Sequence, residues 1–135
     1  MNLREMSVDE YTTPCPTSVE RSVTVGQILD IMSSESYRHI PVLSEGKPVG
    51  IISDRDLGFL NGLSTAESLT AGDIMTPAPY TVKSGTPLEQ VVLNMSAEKI
   101  GSALIVDNSN CIVGIFTATD AMNALVEVLR GDLDN

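Results

Sequence analysis

Two short motifs combine a hydroxyl group with a carboxylate at the spacing found where helices begin. Ser53 is followed three residues later by Asp56, and Thr117 is followed at the same spacing by Asp120. A carboxylate can accept hydrogen bonds from two vicinal hydroxyl groups, and the free N–H groups of a helix N-terminus attract an anion. The same spacing also makes a helix cap, in which the hydroxyl group and the acid satisfy backbone N–H groups. The motif alone leaves both readings open, a ligand site and a structural cap.

These motifs belong to a longer internal repeat, whose two copies lie 63 or 64 residues apart. The repeated segments are Thr13-Pro14-x-Pro16-x-x-Val19 with Thr76-Pro77-x-Pro79-x-x-Val82, and Val49-Gly50-Ile51-Ile52-Ser53 with Val113-Gly114-Ile115-Phe116-Thr117. We place the first unit at residues 7–62, a linker at 63–69 and the second unit at 70–130. Because a unit of this size buries only about 60% of its unfolded surface, we expect one domain of two motifs. A pseudo-twofold arrangement would give two equivalent clefts.

The sequence of each unit predicts the same order of elements: a helical turn, a strand, a helix, two strands and a second helix. The turns are expected at 7–11 and 70–75, just before a Thr-Pro pair, and short extended segments at 16–19 and 79–82. The first helices carry apolar stripes at helical spacing, namely Val25, Ile28, Leu29 and Met32, and then Leu88, Val91, Val92 and Met95. Thr86, Pro87 and Glu89 predict a capping box with proline at the first helical position, and Thr24 with Gln27 is a weaker counterpart.

Two hairpins and two further helices complete the prediction. Residues 39–43 are expected to pair with 48–52, and residues 102–106 with 111–116, across turns rich in polar residues and glycine. The second helices are expected at 54–61 and 118–129. The fold class is therefore α+β, with small sheets and helices in each motif.

The overall charge excludes some classes of function. Eight Lys plus Arg against eighteen Asp plus Glu give a net charge of −10, which disfavours nucleic acid and anionic membranes as partners.

No apolar run approaches the roughly 18 residues that cross a bilayer. Residues 1–5 show no apolar signal core, so the expected location is the cytoplasm. Cys15 and Cys111 lack metal-ligand spacing and are expected to be unpaired, and no catalytic or metal-binding cluster is visible, so we expect no enzyme.

The doubled pattern resembles a pair of CBS (cystathionine-beta-synthase) motifs, together called a Bateman module, over residues 7–130. The stretches that carry the resemblance are Asp73-Ile74-Met75-Thr76-Pro77, Tyr37-Arg38-His39-Ile40-Pro41-Val42, Gly50-Ile51-Ile52-Ser53-Asp54-Arg55-Asp56-Leu57 and Gly114-Ile115-Phe116-Thr117-Ala118-Thr119-Asp120. The resemblance implies two β-α-β-β-α motifs packed through small sheets with pseudo-twofold symmetry. It also implies a stand-alone regulatory module that binds AMP, ADP or ATP, and less readily S-adenosylmethionine or NAD(H), in clefts between the motifs.

The resemblance assigns roles to the two motifs with which we began. It implies that Asp56 and Asp120 accept hydrogen bonds from ribose hydroxyl groups, with Ser53 and Thr117 near the ribose or the phosphate. Basic residues that would reach phosphate are Arg38, His39 and Arg55, although Arg38 and His39 are also what a solvated strand end would show. Gly101 and Ser102 stand where the first unit has Arg38 and His39. The resemblance implies that such basic residues sometimes reach the phosphates of the nucleotide in the opposite cleft. If they do so here, the phosphate-rich ligand lies in the cleft of Thr117 and Asp120, and the cleft of Ser53 and Asp56 has help only from Arg55. We therefore expect unequal sites.

By position, the resemblance also predicts which residues surround adenine. They are Thr13, Thr17 and Tyr37 in one half, and Thr76, Tyr80, Ile100 and Ala103 in the other. The two tyrosines could stack on a base or simply pack.

A different class of function is a scaffold or dimerisation module with no physiological small ligand. The helix predicted at 118–129 has more apolar positions than one core-facing stripe requires, so we expect a homodimer. These positions are Ala121, Met122, Ala124, Leu125, Val126, Val128 and Leu129. The sequence does not identify the regulated partner protein.

Overall fold

The computed structural model describes residues 5–14, 17–35, 37–58, 60 and 68–131. These residues form two compact units: one contains residues 5–14 together with 80–131, and the other contains the described residues between Thr17 and Pro79. In chain order the elements are a 3-10 helix (Val8–Glu10), β1 (Thr13–Pro14), β2 (Val19–Glu20), α1 (Val25–Glu35), β3 (His39–Ser44), β4 (Lys47–Ser53), α2 (Asp54–Gly58), α3 (Ala71–Ile74), β5 (Thr76–Pro77), β6 (Thr81–Lys83), α4 (Leu88–Glu98), β7 (Ser102–Val106), β8 (Ile112–Thr117) and α5 (Ala118–Leu129). The predicted α+β class is confirmed.

Each unit has one four-stranded sheet, and the two sheets follow the same plan. The orders are β2-β3-β4-β5 in one unit and β6-β7-β8-β1 in the other. Strands β3 and β4 form the first predicted hairpin and β7 and β8 the second, and both pair antiparallel. The short strand that precedes each first helix pairs parallel with the first strand of the hairpin: β2 with β3, and β6 with β7. Both predicted hairpins are therefore confirmed.

The outer strand of each sheet is donated by the start of the opposite repeat. Strand β1 begins the first repeat but pairs antiparallel with β8, where Pro14 lies opposite Gly114. Strand β5 begins the second repeat but pairs with β4, where Pro77 lies opposite Gly50. The sequence predicts extended chain only after each Thr-Pro pair, so this strand exchange is a finding of the structure. The compact units consequently have boundaries different from those of the repeats.

The glycines opposite the two prolines allow this close pairing. A Cβ atom at Gly114 would lie 2.7 Å from the Thr13 carbonyl oxygen, and closer still to Cγ2 of Thr12. A Cβ atom at Gly50 would lie 2.8 Å from Cγ of Met75 and closer to its sulfur. Since real Cβ atoms do not approach main-chain atoms so closely, the exchanged strand β1 requires glycine at position 114, whereas the atoms near Gly50 belong to the flexible side chain of Met75.

Helix starts match the sequence prediction in one unit and depart from it in the other. The Thr24 N–H donates to Oε1 of Gln27 at 3.0 Å, and the Gln27 N–H donates to Oγ1 of Thr24 at 3.3 Å, a formed capping box. The capping box predicted for Thr86 and Glu89 is wrong, because the Thr86 hydroxyl donates to the Lys83 carbonyl at 2.7 Å.

Helix α4 begins one residue after Pro87, which occupies the cap position itself. Proline has no side-chain acceptor, and the main chain of the N-terminal segment takes over part of the capping. The Leu88 N–H donates to the Met6 carbonyl at 2.7 Å, just as the Val25 N–H of α1 donates to the Leu69 carbonyl at 2.7 Å. The segment before each Thr-Pro pair therefore caps the first helix of the opposite repeat.

Each unit has its own apolar core. Val25 and Ile28 of α1 are buried against β3 and β4, and Leu88, Val91 and Met95 of α4 are buried against Phe116 and Ile105. The predicted stripe fails at Leu29, which is 40% exposed. Helix α2 is described from Asp54 to Gly58, and the predicted end at Asn61 and most of the predicted linker lie outside the described residues.

Candidate functional site

The two hydroxyl–carboxylate pairs both form reciprocal helix caps. Oδ2 of Asp56 accepts from the Ser53 N–H at 2.9 Å, and the Asp56 N–H donates to the Ser53 hydroxyl at 3.4 Å. Oδ2 of Asp120 accepts from the Thr117 N–H at 2.8 Å and from its hydroxyl at 3.1 Å. Within the described residues, the second carboxylate oxygen of each aspartate makes no hydrogen bond. Each half-buried carboxylate is thus held in place by its cap, and its second oxygen can accept a further hydrogen bond.

The strands bring the same set of positions together in each unit. His39 lies directly opposite Ser53, and Ser102 lies directly opposite Thr117. One residue earlier, the Arg38 carbonyl accepts from the Asp54 N–H at 2.9 Å, and the Gly101 carbonyl accepts from the Ala118 N–H at 3.0 Å. The chain entering β3 or β7 is therefore fixed beside the first turn of the helix that carries the aspartate.

These equivalent positions differ in charge. The unit that contains Ser53 carries Arg38, His39 and Arg55, whose counterparts at the same repeat positions are Gly101, Ser102 and Thr119. The guanidinium groups of Arg38 and Arg55 are exposed, and neither makes an ion pair with the part of the chain that the structure describes. Three basic positions in one unit therefore correspond to three neutral positions in the other. Their role in phosphate binding stays a prediction.

The predicted adenine residues are grouped differently by the structure. Thr13 lies on β1 opposite Ile115 of β8, so it belongs with Thr117 and not with Thr17 and Tyr37. Thr76 lies on β5 opposite Ile51 of β4, so it belongs with Ser53. The sequence grouping is corrected on both counts, because the strand exchange moves each threonine to the other unit.

The remaining predicted adenine residues are partly engaged already. The Thr17 hydroxyl donates to Oε2 of Glu35 at 3.1 Å, and the Tyr80 hydroxyl accepts from Nδ2 of Asn94 at 3.1 Å. Tyr37 and Tyr80 are half-buried and each packs against the core of its own unit, as Ile100 does. Stacking of either ring on a base stays a prediction.

Ala103 does not fit its predicted role. It lies opposite Phe116 in the hairpin and is 0% exposed in the core of its unit. Its surface is not open to a ligand, since strand β7 is buried along Ala103–Val106. Its position in the repeat predicted a place near adenine, but the structure shows its side chain packed in the core.

Helix α5 leaves an apolar surface uncovered, as the surplus of apolar positions predicted. Ala124 is buried in the core, whereas Met122, Leu125 and Leu129 are 64%, 54% and 75% exposed. Val126 and Val128 are also exposed. We call the surface formed by Met122, Leu125, Val126 and Leu129 the α5 apolar face. These four residues lie at i, i+3, i+4 and i+7, so they form one continuous stripe.

Three further features concern metals, membranes and thiols. The described residues contain no group of three or more His, Cys, Asp or Glu side chains that could hold a metal ion. None of the helices in the described part of the chain has the length and apolar character to cross a membrane. Cys111 is exposed, and its thiol donates to the Ser109 carbonyl at 3.9 Å, whereas Cys15 lies outside the described residues.

One family matches the chain twice. The CBS domain profile matches residues 8–57 and 71–127. Inosine-5'-monophosphate dehydrogenase of Yersinia pestis is 31% identical over 112 residues, which are 81% of this chain and 22% of the dehydrogenase. The chloroplastic CBS domain-containing protein CBSX1 of Arabidopsis thaliana is 27% identical over 141 residues, covering 83% of this chain and 60% of that protein. The chain thus spans about a fifth of the dehydrogenase and three fifths of CBSX1.

Solved structures share the fold over nearly the whole chain. The crystal structure of CBSX2 in complex with AMP has a TM-score of 0.77 and 26% identity, covering 92% of this chain and 98% of that one. The CBS domain pair of protein MJ0100, in complex with 5'-methylthioadenosine and S-adenosyl-L-methionine, has a TM-score of 0.78 and 25% identity, covering 89% and 99%. Since the family profile accounts for most of the sequence in two copies, and each copy supplies one hairpin and one capped aspartate, the chain belongs to the CBS domain family.

Proposed function

We propose that this chain is a non-catalytic regulatory module that binds an adenosine-containing ligand and thereby modulates a partner protein. The observation that supports this most directly is the state of Asp56 and Asp120. One oxygen of each carboxylate is fixed by a helix cap, and the other has no partner among the described residues. A positioned carboxylate oxygen is a suitable acceptor for a ribose hydroxyl group.

The relatives point to the same class of ligand. CBSX2 was solved with AMP, and the MJ0100 domain pair with 5'-methylthioadenosine and S-adenosyl-L-methionine. These molecules share adenine and a ribose with neighbouring hydroxyl groups. We place AMP, ADP and ATP ahead of S-adenosylmethionine and NAD(H) for this chain, because the exposed guanidinium groups of Arg38 and Arg55 make no ion pair with the described residues and could contact phosphate.

The experiment is a thermal-shift series with AMP, ADP, ATP, S-adenosylmethionine and NADH, with and without magnesium. A ligand at 100 times its Kd should add about 2.7 kcal/mol to the free energy of unfolding. Asp120→Ala or Asp56→Ala should reduce that gain, and the double variant should abolish it. A full gain in the double variant would refute the site.

Asp73→Ala is the matched control for loss of a helix cap. Thr70 and Asp73 form the same type of reciprocal cap, with the Thr70 N–H donating to Oδ2 of Asp73 at 2.9 Å and its hydroxyl donating at 3.0 Å. Asp73 is not a predicted ligand residue, so this variant should lose a little stability and keep the full ligand response.

We further propose that the two sites are unequal in their affinity for phosphate. The support is the difference between Arg38, His39 and Arg55 and their neutral counterparts. The sequence prediction that these cations serve the ligand of Asp120 is tested by combining Arg38→Ala with each aspartate variant. If it holds, Arg38→Ala weakens ATP binding in the Asp56→Ala background and changes little in the Asp120→Ala background. The reverse pattern would assign the cations to Asp56, and two identical, independent sites would refute the inequality.

The α5 apolar face supports a second function, self-association. We place a homodimer contact there, since a stripe that includes Met122, Leu125 and Leu129 gains by leaving water. Nucleotide binding and dimerisation are compatible, but a protein that dimerises and shows no thermal shift with any adenosine compound would be a scaffold. The cytoplasm is the location we propose. Cell fractionation tests this directly, since the related CBSX1 is chloroplastic.

A further inference from the structure

A polar contact joins the segment before β1 to helix α5. The Tyr11 hydroxyl donates to Oε2 of Glu127, and both side chains are half-buried. Tyr11 also packs against the core that contains Phe116 and Ala124. Burial, the hydrogen bond to Glu127 and the negative charge of Glu127 and Glu10 together raise the pKa of Tyr11 to about 12, so the phenol stays protonated and able to donate.

The segment that carries Tyr11 does not depend on this contact for its attachment. Its earlier residues are held at the turn between β6 and α4, where the Val8 N–H donates to the Thr86 carbonyl at 2.8 Å. The Asp9 carboxylate accepts from the Gly85 N–H at 3.1 Å and from the Ser84 hydroxyl. The contact between Tyr11 and Glu127 therefore adds a constraint on α5 rather than keeping the segment in place.

Both ends of the contact lie on segments that are connected to the Thr117–Asp120 cap. Two residues after Tyr11, Thr13 lies opposite Ile115, which is two residues before Thr117 on β8. On α5, Asp120 and Glu127 are seven residues apart, so they lie on the same face of the helix, with buried Ala124 between them. A rotation of α5 about its axis that moved the Asp120 carboxylate would also break the hydrogen bond at Glu127.

We propose that Tyr11 and Glu127 are positioning residues for the ligand site at Thr117 and Asp120, an inference that rests on the proposed function. Their hydrogen bond fixes the rotation of α5, and with it the direction of the free Asp120 oxygen, relative to Thr13 on the exchanged strand. Neither residue touches the ligand.

The repeat position of Tyr11 in the other unit offers no matching hydrogen bond. The residue at the repeat position of Tyr11 is Ile74, which has no hydroxyl group and packs against the core of the other unit. The site at Ser53 and Asp56 therefore lacks a phenol at the corresponding place. The two sites differ in how their aspartate is held, independently of the basic residues.

The test is calorimetric titration with AMP of Tyr11→Phe, which removes only the hydroxyl group. In the Asp56→Ala background, where the Asp120 site remains, Tyr11→Phe should weaken AMP binding about fivefold, the effect of one lost hydrogen bond. In the Asp120→Ala background it should change affinity by less than about twofold. Glu127→Gln retains an oxygen acceptor for the phenol and should stay within about twofold of the parent in both backgrounds.

Amide hydrogen exchange without ligand provides the independent readout. Tyr11→Phe should accelerate exchange at residues 11–14 and 115–120 and leave residues 51–56 unchanged. Unchanged AMP affinity in a folded Tyr11→Phe protein of the Asp56→Ala background, or an equal loss in both backgrounds, would overturn the positioning role. Failure of Asp120→Ala to affect AMP binding would instead overturn the proposed function. In that case, hydrogen exchange decides the positioning role by itself, and unchanged exchange in Tyr11→Phe would overturn it.

Discussion

Gly50 and Gly114 occupy equivalent positions in the two repeats, yet alanine should be tolerated far better at the first. At Gly114 the new methyl group would meet the Thr13 carbonyl oxygen at 2.7 Å, which is main chain of the exchanged strand β1. At Gly50 it would meet the side chain of Met75, with Cγ at 2.8 Å and Cβ at 3.0 Å. A methionine side chain can change rotamer, whereas a carbonyl moves only if the strand moves.

The expected costs follow from this difference. Gly114→Ala should lower the free energy of unfolding by about 3 kcal/mol, at the upper end of overpacking effects, because β1 must shift away from β8. Gly50→Ala should cost about 1 kcal/mol, since Met75 can rearrange. With a urea dependence of about 2 kcal/mol per molar, the midpoints would fall by about 1.5 M and 0.5 M.

Urea unfolding followed by circular dichroism measures both variants, with Gly101→Ala as the control. A Cβ atom at Gly101 would have no heavy atom within 4 Å, so this variant should stay within about 0.5 kcal/mol of the parent. Equal costs at Gly50 and Gly114, or a larger cost at Gly50, would refute the reasoning from neighbouring atoms. Gly114→Ala should also weaken AMP binding at the Asp120 site more than at the Asp56 site, because it displaces Thr13.

Four further predictions concern titration and self-association. Tyr11, one of the three tyrosines, should ionise near pH 12 in spectrophotometric titration, and Glu127→Gln should lower that pKa. Ionisation of all tyrosines near the ordinary pKa of 10.0 would contradict this prediction. Because the folded pKa of Tyr11 is raised, its contribution to stability is present below pH 10 and is lost as the pH rises towards 12, a loss that Tyr11→Phe should remove. Hydrogen bonds from the backbone and hydroxyl of Thr70 lower the pKa of Asp73 below 3.8. The contribution of Asp73 to the free energy of unfolding is therefore present at neutral pH and is lost as the pH falls through that lowered pKa. Acid unfolding of Asp73→Asn should lack this loss of stability. Leu125→Glu should convert a dimer to a monomer in light scattering at micromolar concentration. Asn123→Glu adds the same charge at an exposed polar position and should leave the dimer intact. A monomeric parent protein would refute the contact.

The hairpins and most helices were predictable because their signals are local. Polar turn residues separate two apolar runs in each repeat, and the spacing of Val25 with Ile28, or Leu88 with Val91, fits a helix packed on a sheet. The spacing of Ser53 with Asp56 predicted the caps with equal directness. The family pattern came from the same segments, and both the family and the fold class are confirmed.

The remaining features depend on contacts distant in sequence. The two residues of β1 carry no information on which sheet they join, so Thr13 and Thr76 were assigned to the wrong units. The cap at α4 was wrong because Met6, over 80 residues earlier, supplies a carbonyl that makes a side-chain cap at Thr86 unnecessary. The link between Tyr11 and Glu127 had no local signal, since 116 residues separate the two.

The exchanged strands have a consequence for how such a chain could arise. A single repeat cannot complete its own sheet, since the Thr-Pro strand at its start pairs with the hairpin of the other copy. A lone ancestral repeat would have reached this fold only as a dimer that traded these strands between identical chains. Duplication and fusion of the gene would place both partners in one chain and make their association independent of concentration. Positions such as Tyr11 and Ile74 can differ only in a fused chain, where each copy is free to change without altering the other.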